Sequence, residues 1–158
     1  MARYQELVGD ILSDEVLNKY RDGFILAHVC NNERKWGAGF VIPLAKKFPN
    51  VEEAYHNQDM SLGSVKIVKV LGYAHYSFVA NMIAQKGIRS ANVSTPLRYY
   101  HLYTCLTKVF QKAMDSGVPV IAPMFGAGLA GGYWPAIQNL LQDFSTHYSV
   151  NVDIYKLA

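Results

Sequence analysis

The sequence of 158 residues has few of the features that mark secreted or membrane-spanning chains. Its two cysteines, Cys30 and Cys105, lack CxxC spacing. No run of about 18 apolar residues is present. Residues 1–6 lack the apolar core of a secretory signal. We therefore expect an intracellular, cytoplasmic protein that contacts no membrane.

Charged residues are also scarce, since they make up 17% of the chain and leave a formal net charge of +3. The densest basic run is only Arg34-Lys35, which argues against a nucleic-acid partner and suffices for a small phosphorylated ligand. Hydrophobic residues, in contrast, amount to 51%, and neither repeats nor a linker divide the sequence. Residues 1–158 are expected to form one domain around a single core.

Strand-like and helix-like segments alternate in the first half of the chain. A continuous apolar run at 24–29 predicts a buried strand. Apolar residues at helical spacing over 40–48 then predict a helix that Pro49 stops. The segments 65–70 and 76–83 are typical of two strands, which we expect to pair in antiparallel fashion.

The second half continues the alternation. Thr95 as N-cap and Pro96 at the first helical position predict a helix that ends before Gly117. The remaining predicted elements are a strand at 118–122, a helix from Pro135 and a strand at 150–154. This order predicts a three-layer α/β domain with a mixed central sheet.

Two glycine-rich loops each follow a predicted strand and precede a predicted helix. They contain Gly37-Ala38-Gly39 and Gly126-Ala127-Gly128-Leu129-Ala130-Gly131-Gly132. Glycine removes the side chain, so backbone N–H groups at a helix N-terminus can approach an anion closely. Ligands in such folds bind outside the carboxyl ends of the strands, where both loops fall. The pair predicts a diphosphate held from both sides, although a single glycine-rich turn is more often only a turn.

Four segments of the chain resemble those of macro domains, in particular small stand-alone macro domains similar to ADP-ribose 1''-phosphate phosphatases, some of them encoded by phages. The segments are 8–11, 28–40, 80–87 and 123–134. A single GxG is a weak signal, but the order, the spacing and the Asn-Asn and Trp-Gly-Ala-Gly context are specific. The resemblance covers nearly the whole chain and implies a three-layer α/β/α macro domain.

The resemblance implies that Asp10 accepts a hydrogen bond from the adenine amino group and that the Ile11 backbone donates one nearby. A carboxylate only accepts hydrogen bonds, so it suits an amine, but Asp10 could instead cap the following turn. Asn31 and Asn32 would lie by the proximal ribose, where an amide can donate to one hydroxyl and accept from another. The alternative is that these asparagines only make Asx turns.

The resemblance also implies that backbone N–H groups of both loops hold the diphosphate of ADP-ribose. The residues expected around it are Gly37, Ala38, Gly39, Gly126, Ala127, Gly128, Leu129, Ala130, Gly131 and Gly132. Trp36 would wall the ribose pocket or pack beneath its loop. Phe125 and Tyr155 would flank ribose or adenine, or else belong to the core.

The sequence contains no cysteine phosphatase loop, no DxD-type nucleophile and no metal-spaced cluster, so we expect neither metal nor cofactor. Hydrolysis would use water, with charge neutralised by Asn31, Asn32, loop amides and Arg34 or Lys35. His28 is the candidate acid or base, and the resemblance implies a histidine there in related phosphatases. A histidine in an apolar strand is otherwise a core residue.

One departure from the family bears on the reaction. Ala130 stands where macro domains with a catalytic lysine carry an aspartate, so it argues against hydrolysis through a covalent sugar adduct. The loop 31–36 also lacks the longer, glycine-richer form found in deacetylating macro domains. The predicted function is ADP-ribose binding with hydrolysis of ADP-ribose 1''-phosphate to ADP-ribose and phosphate. The alternative is a non-catalytic ADP-ribose-binding module, and an ADP-ribosyl hydrolase ranks below both.

Overall fold

The computed structural model describes residues 2–88, 96–126 and 130–157. Six strands form one mixed sheet in the order β1-β6-β5-β2-β4-β3, in which only the β3–β4 pair is antiparallel. The strands are β1 (Tyr4–Val8), β2 (Phe24–Asn31), β3 (Val65–Lys69), β4 (Ser77–Gln85), β5 (Val120–Pro123) and β6 (Val152–Lys156). Strand β2 is central because nearly all of its residues are apolar and buried, as a strand covered on both faces requires.

Helices cover both faces of the sheet. They are α1 (Asp14–Leu17), α2 (Val41–Lys47), α3 (Pro49–Asn57), α4 (Tyr99–Ser116) and α5 (Trp134–Tyr148). Apolar side chains of α4 and α5 pack on one face, and those of α1, α2 and α3 pack on the other. The three-layer α/β/α architecture predicted from the sequence is therefore confirmed. No helix of the described ranges is long and apolar enough to cross a membrane.

Three local predictions need correction. Helix α4 begins at Tyr99, whereas the sequence suggested Pro96, and Thr95 lies outside the described residues. Pro49 does end α2, but it also occupies the first turn of α3, which the sequence reading missed. Strand β1 was missed as well, because its Gln5 and Glu6 interrupt the apolar pattern on a half-buried strand at the edge of the sheet.

The parallel strands bring their five carboxyl ends to one edge of the sheet. Strands β1, β6, β5, β2 and β4 all run in the same direction, so the segments that follow them lie side by side. Asn31 and Gln85 end their strands at this edge, and Asp10 and Gly126 lie in the segments that follow β1 and β5. The carboxyl edge of the sheet therefore collects most of the residues that the sequence predicted to bind a ligand.

Candidate functional site

A groove runs along the carboxyl edge of the sheet as three adjoining pockets. The Asp10 pocket has a volume of about 620 Å³, and the neighbouring central pocket has about 320 Å³. They share Gly39, Phe40, Pro123 and Met124. The third, here the Asn31 pocket, has about 340 Å³ and shares Val29, Ala38, Val41 and Gln85 with the central pocket. An elongated ligand could thus contact all three in sequence.

In the Asp10 pocket, the Asp10 side chain makes a turn and still has a free oxygen. Its Oδ1 accepts a hydrogen bond from the Leu12 backbone N–H at 3.0 Å, so the capping alternative is present in the structure. The other carboxylate oxygen accepts no hydrogen bond from any described residue, and Asp10 is exposed. Ile11 lines the same pocket. Asp10 can therefore hold its turn and accept from a ligand at the same time.

Tyr155 forms a buried wall of the Asp10 pocket and is only 4% exposed. Its hydroxyl lies 2.5 Å from the hydroxyl of Tyr20, which in turn donates to Asp153 Oδ2 at 2.8 Å. Burial raises the pKa of Tyr20 well above its usual value, so the Tyr20 hydroxyl stays protonated. The phenol group of Tyr155 is thus held by the protein interior.

The central pocket is lined by glycines from both predicted loops and by small or apolar side chains. Gly39 and Gly126 have φ angles of 77° and 78°, which L side chains rarely adopt. The Gly126 carbonyl accepts from the Gly132 N–H at 2.7 Å, and a Cβ on Gly132 would lie 2.5 Å from that oxygen. Phe125 and Ala130 also line this pocket. Ala127, Gly128 and Leu129 lie outside the described residues, so their predicted contacts stay predictions.

Asn31 organises the loop that follows β2. Its Oδ1 accepts from the backbone N–H groups of Glu33 at 3.0 Å and Lys35 at 3.2 Å, and its Nδ2 donates to the Lys35 carbonyl at 2.7 Å. The buried Tyr55 hydroxyl donates to the Asn31 carbonyl at 2.7 Å. The Asx-turn alternative is therefore present, and Asn31 lines its pocket with its amide largely occupied.

Asn31 lies at the opposite end of the groove from Asp10, and its neighbour Asn32 lines none of the three pockets. The central pocket separates Asn31 from Asp10, and the expected position of both asparagines beside the proximal ribose stays a prediction. Asn32 Oδ1 accepts from the Gly87 N–H at 2.9 Å, which ties this loop to the segment after β4. Of the two predicted cations, Lys35 lines the Asn31 pocket, whereas Arg34 donates to the carbonyl of His56.

Trp36 both lines a pocket and packs beneath its loop, and its contact with a ribose stays a prediction. It lines the Asn31 pocket, and its Nε1 donates to the Val41 carbonyl at 3.1 Å. Its ring packs against Tyr55 at 5.2 Å and against His28 at 5.7 Å between centroids. Trp36 thus connects the pocket wall to the core beneath the loop.

His28 lies at the floor of the central pocket and is only 2% exposed. Asn81 Nδ2 donates to the Val51 carbonyl, so Asn81 Oδ1 is the acceptor that faces His28 Nε2 at 2.5 Å. Nε2 therefore carries the ring proton, and that proton is directed at Asn81. Burial lowers the pKa of His28 to about 4, so the ring is neutral at neutral pH. This arrangement favours the core alternative over the proton-transfer role predicted from the sequence.

Sequence reasoning missed Gln85, which lines both the central and the Asn31 pocket. Gln85 is the last residue of β4 and lies in the third macro-domain-like segment. Ligands in such folds bind at the carboxyl ends of strands, so the end of β4 is the sequence signal that points to this side chain.

Comparison with known proteins bears out the fold. No protein-family model matches the sequence. A solved macrodomain protein from Streptomyces coelicolor is 32% identical with a TM-score of 0.78, and the match covers 98% of this chain and 99% of that one. The geometry defines the class of protein, which is a three-layer α/β/α domain with a groove across the carboxyl edge of its sheet. The chain belongs to the macrodomain family, which confirms the resemblance drawn from its four segments.

Two curated relatives extend the comparison. The chain is 28% identical over 142 residues to an ADP-ribose 1''-phosphate phosphatase of Candida albicans, covering 81% of this chain and 86% of the relative. It is 26% identical over 134 residues to the ADP-ribose glycohydrolase OARD1 of Homo sapiens, covering 84% of this chain and 81% of the relative. Both names concern ADP-ribose or its 1''-phosphate, although they describe different reactions.

Proposed function

We propose that this protein binds ADP-ribose and hydrolyses ADP-ribose 1''-phosphate to ADP-ribose and phosphate. The observation that carries the proposal is the distribution of charge along the groove. Among the described lining residues, the Asn31 pocket has Lys35 and no carboxylate. The Asp10 pocket has the carboxylate of Asp10 together with Lys156, whose charge is paired with Glu6 at 3.3 Å. A ligand with an amine at one end and a phosphate at the other matches this polarity.

The ligand would lie with adenine in the Asp10 pocket and its diphosphate in the central pocket. The free oxygen of Asp10 would accept from the adenine amino group, and backbone N–H groups near Gly39 and Gly126 would face the diphosphate. The distal ribose would then reach the Asn31 pocket. Asn31 would accordingly stand beside the distal ribose and not beside the proximal ribose that the sequence suggested.

Hydrolysis in this arrangement needs a water molecule that attacks phosphorus and gives up one proton, and a leaving sugar oxygen that takes up one proton. The P–O bond to the 1'' oxygen breaks as the bond from water to phosphorus forms, so the products are ADP-ribose and inorganic phosphate. Lys35 would offset the charge on the phosphoryl oxygens, and the ordered loop at 31–35 would hold the distal ribose in place. His28 would support the pocket floor as a positioning residue, because its proton is bonded to Asn81.

The relatives support this proposal in different ways. The Candida albicans relative is named for the proposed reaction, whereas OARD1 is named as a glycohydrolase. In this chain the central pocket contains Ala130, which is 4% exposed and has no nucleophilic or acidic group. Removal of ADP-ribose through a covalent sugar adduct therefore has less support here than phosphate removal.

The proposal is tested by measuring both binding and phosphate release. We expect calorimetry to detect binding of ADP-ribose, and purified protein to release inorganic phosphate from ADP-ribose 1''-phosphate in a time- and enzyme-dependent manner. Binding without release would establish the second candidate, a non-catalytic ADP-ribose-binding module. That candidate is favoured by one observation, namely that His28 is neutral and bonded to Asn81 instead of facing a ligand. Absence of both would contradict either function.

Replacing Asp10 with asparagine tests the adenine end of the groove. The new side-chain oxygen can still accept from the Leu12 N–H, so the turn is retained, but the second position becomes an NH2 group that repels an amine. We expect the affinity for ADP-ribose to fall about tenfold, which corresponds to about 1.4 kcal/mol. Calorimetry measures the change.

The matched control for this variant is Asp22→Asn. Asp22 is exposed and precedes β2 at the opposite edge of the sheet, so this change should leave the affinity for ADP-ribose unaltered. If Asp10→Asn binds ADP-ribose as tightly as the unmodified protein, Asp10 only caps its turn.

A further inference from the structure

Gln85 stands at the junction between the central pocket and the Asn31 pocket, since it lines both. Its backbone is fixed, because its carbonyl accepts from the Asn32 N–H at 3.0 Å and it pairs with Asn31 at an irregularity in the β2–β4 register. The side-chain amide, in contrast, makes no hydrogen bond to any described residue. A half-buried amide on a fixed backbone is therefore available to a ligand.

The surroundings of Gln85 limit what this ligand group can be. Asn31 has its amide engaged by Lys35, Glu33 and Tyr55, so it offers little to a ligand. Lys35 is the one charged residue among those described around the Asn31 pocket. Among the described residues around this pocket, Gln85 thus offers a neutral side-chain amide without a hydrogen-bond partner, next to one positive charge. This combination suits an anionic oxygen.

We infer that Gln85 is a specificity-determining residue that recognises the terminal phosphate of ADP-ribose 1''-phosphate. Its NH2 group donates to a phosphoryl oxygen, while Lys35 supplies the opposite charge from the facing loop. ADP-ribose lacks this phosphate, so Gln85 favours the phosphorylated ligand over the product. This inference rests on the proposed function. It adds that the Gln85 side chain distinguishes the substrate from the product.

The test compares two ligands and three variants by calorimetry. The ligands are ADP-ribose and a non-hydrolysable analogue of its 1''-phosphate in which a methylene group replaces the bridging oxygen. Gln85→Glu retains the shape but offers only acceptor oxygens and a negative charge, so affinity for the analogue should fall about tenfold or more. Gln85→Met retains the length without hydrogen bonding and should weaken the analogue several-fold. Affinity of both variants for ADP-ribose should stay within about twofold of the unmodified protein.

Gln142→Glu is the control, because it adds the same charge at an exposed position on α5. It should leave both affinities unchanged. If Gln85→Glu loses affinity equally for the two ligands, Gln85 contacts a part common to both, and the inference is overturned. Unchanged affinities in both Gln85 variants would overturn it as well. If the unmodified protein binds neither ligand, the proposed function itself fails, and the inference fails with it.

Discussion

Gly37→Val is expected to reduce the affinity for ADP-ribose about a hundredfold or more, which corresponds to about 3 kcal/mol. Gly37 lines the Asn31 pocket, and a Cβ at this position would meet no heavy atom within 4 Å. Its φ lies outside the left-handed range, so a branched side chain causes no backbone strain. The valine would therefore occupy space in the groove while the loop and helix α2 keep their structure.

The graded variant Gly37→Ala provides the matched control, because it adds only one methyl group and should reduce the affinity less. Calorimetry measures binding, and urea unfolding should show the same stability for both variants and the unmodified protein. Normal ADP-ribose affinity in Gly37→Val would show that no ligand passes over this loop. A parallel loss of stability would instead assign the effect to folding.

Lowering the pH from about 7.5 to about 5 is expected to reduce the free energy of unfolding by about 2 kcal/mol through His28 alone. Burial lowers the pKa of His28 from 6.5 to about 4 in the folded protein. The unfolded chain therefore takes up the proton first, so this stability is complete above the unfolded pKa and is lost as pH falls towards the folded one. The hydrogen bond from Tyr4 lowers the pKa of Glu6, so that carboxylate titrates mainly below this window.

His28→Gln is the variant that isolates this effect. Glutamine can donate to Asn81 Oδ1 but does not titrate, so the loss of stability between the two pH values should shrink by about 2 kcal/mol. His147→Gln, an exposed change on α5, should leave the pH dependence as it was. Urea unfolding at both pH values measures these differences. An unchanged pH dependence in His28→Gln would contradict the buried neutral ring.

The same variant decides between the two roles considered for His28. Loss of a general acid or base slows a reaction about 10²-fold to 10⁴-fold. A positioning role predicts a reduction in phosphate release of less than about tenfold at neutral pH, which is the result we expect. A larger loss with unchanged ADP-ribose affinity would restore the proton-transfer role.

The elements with strong periodicity were predictable from the sequence, and those with mixed patterns were not. The apolar run of β2 and the helical spacing of α4 indicated their types, and the β3–β4 pair was expected to be antiparallel. Strand β1 and helix α3 were missed. Polar residues break the pattern of β1, and Pro49 was interpreted only as a stop although proline also suits the first turn of a helix.

The glycine loops predicted the position of the groove. They did not predict which groups the individual side chains contact. Asn31 was expected to bind a ligand, whereas its amide is engaged by its own loop and by Tyr55 from the unpredicted helix α3. His28 was considered as an acid or base, and its partner Asn81 is 53 positions away in the chain. Such pairings depend on how distant strands and helices pack, and local sequence patterns do not contain that information.

The hydrogen bonds of Asn31 have a consequence for the entropy of binding. The loop at 31–35 is held by Asn31 and by the buried Tyr55 hydroxyl, so its ordering is part of folding. Fixing the backbone of a free loop costs about 1–2 kcal/mol per residue, and a ligand that had to order this loop would lose that amount from its affinity. Here the loop is already ordered on folding, so binding does not include this loss of entropy. The Asn31 pocket is preorganised, and the hydrophobic core that holds Tyr55 in place contributes in this way to the affinity of a site on the surface.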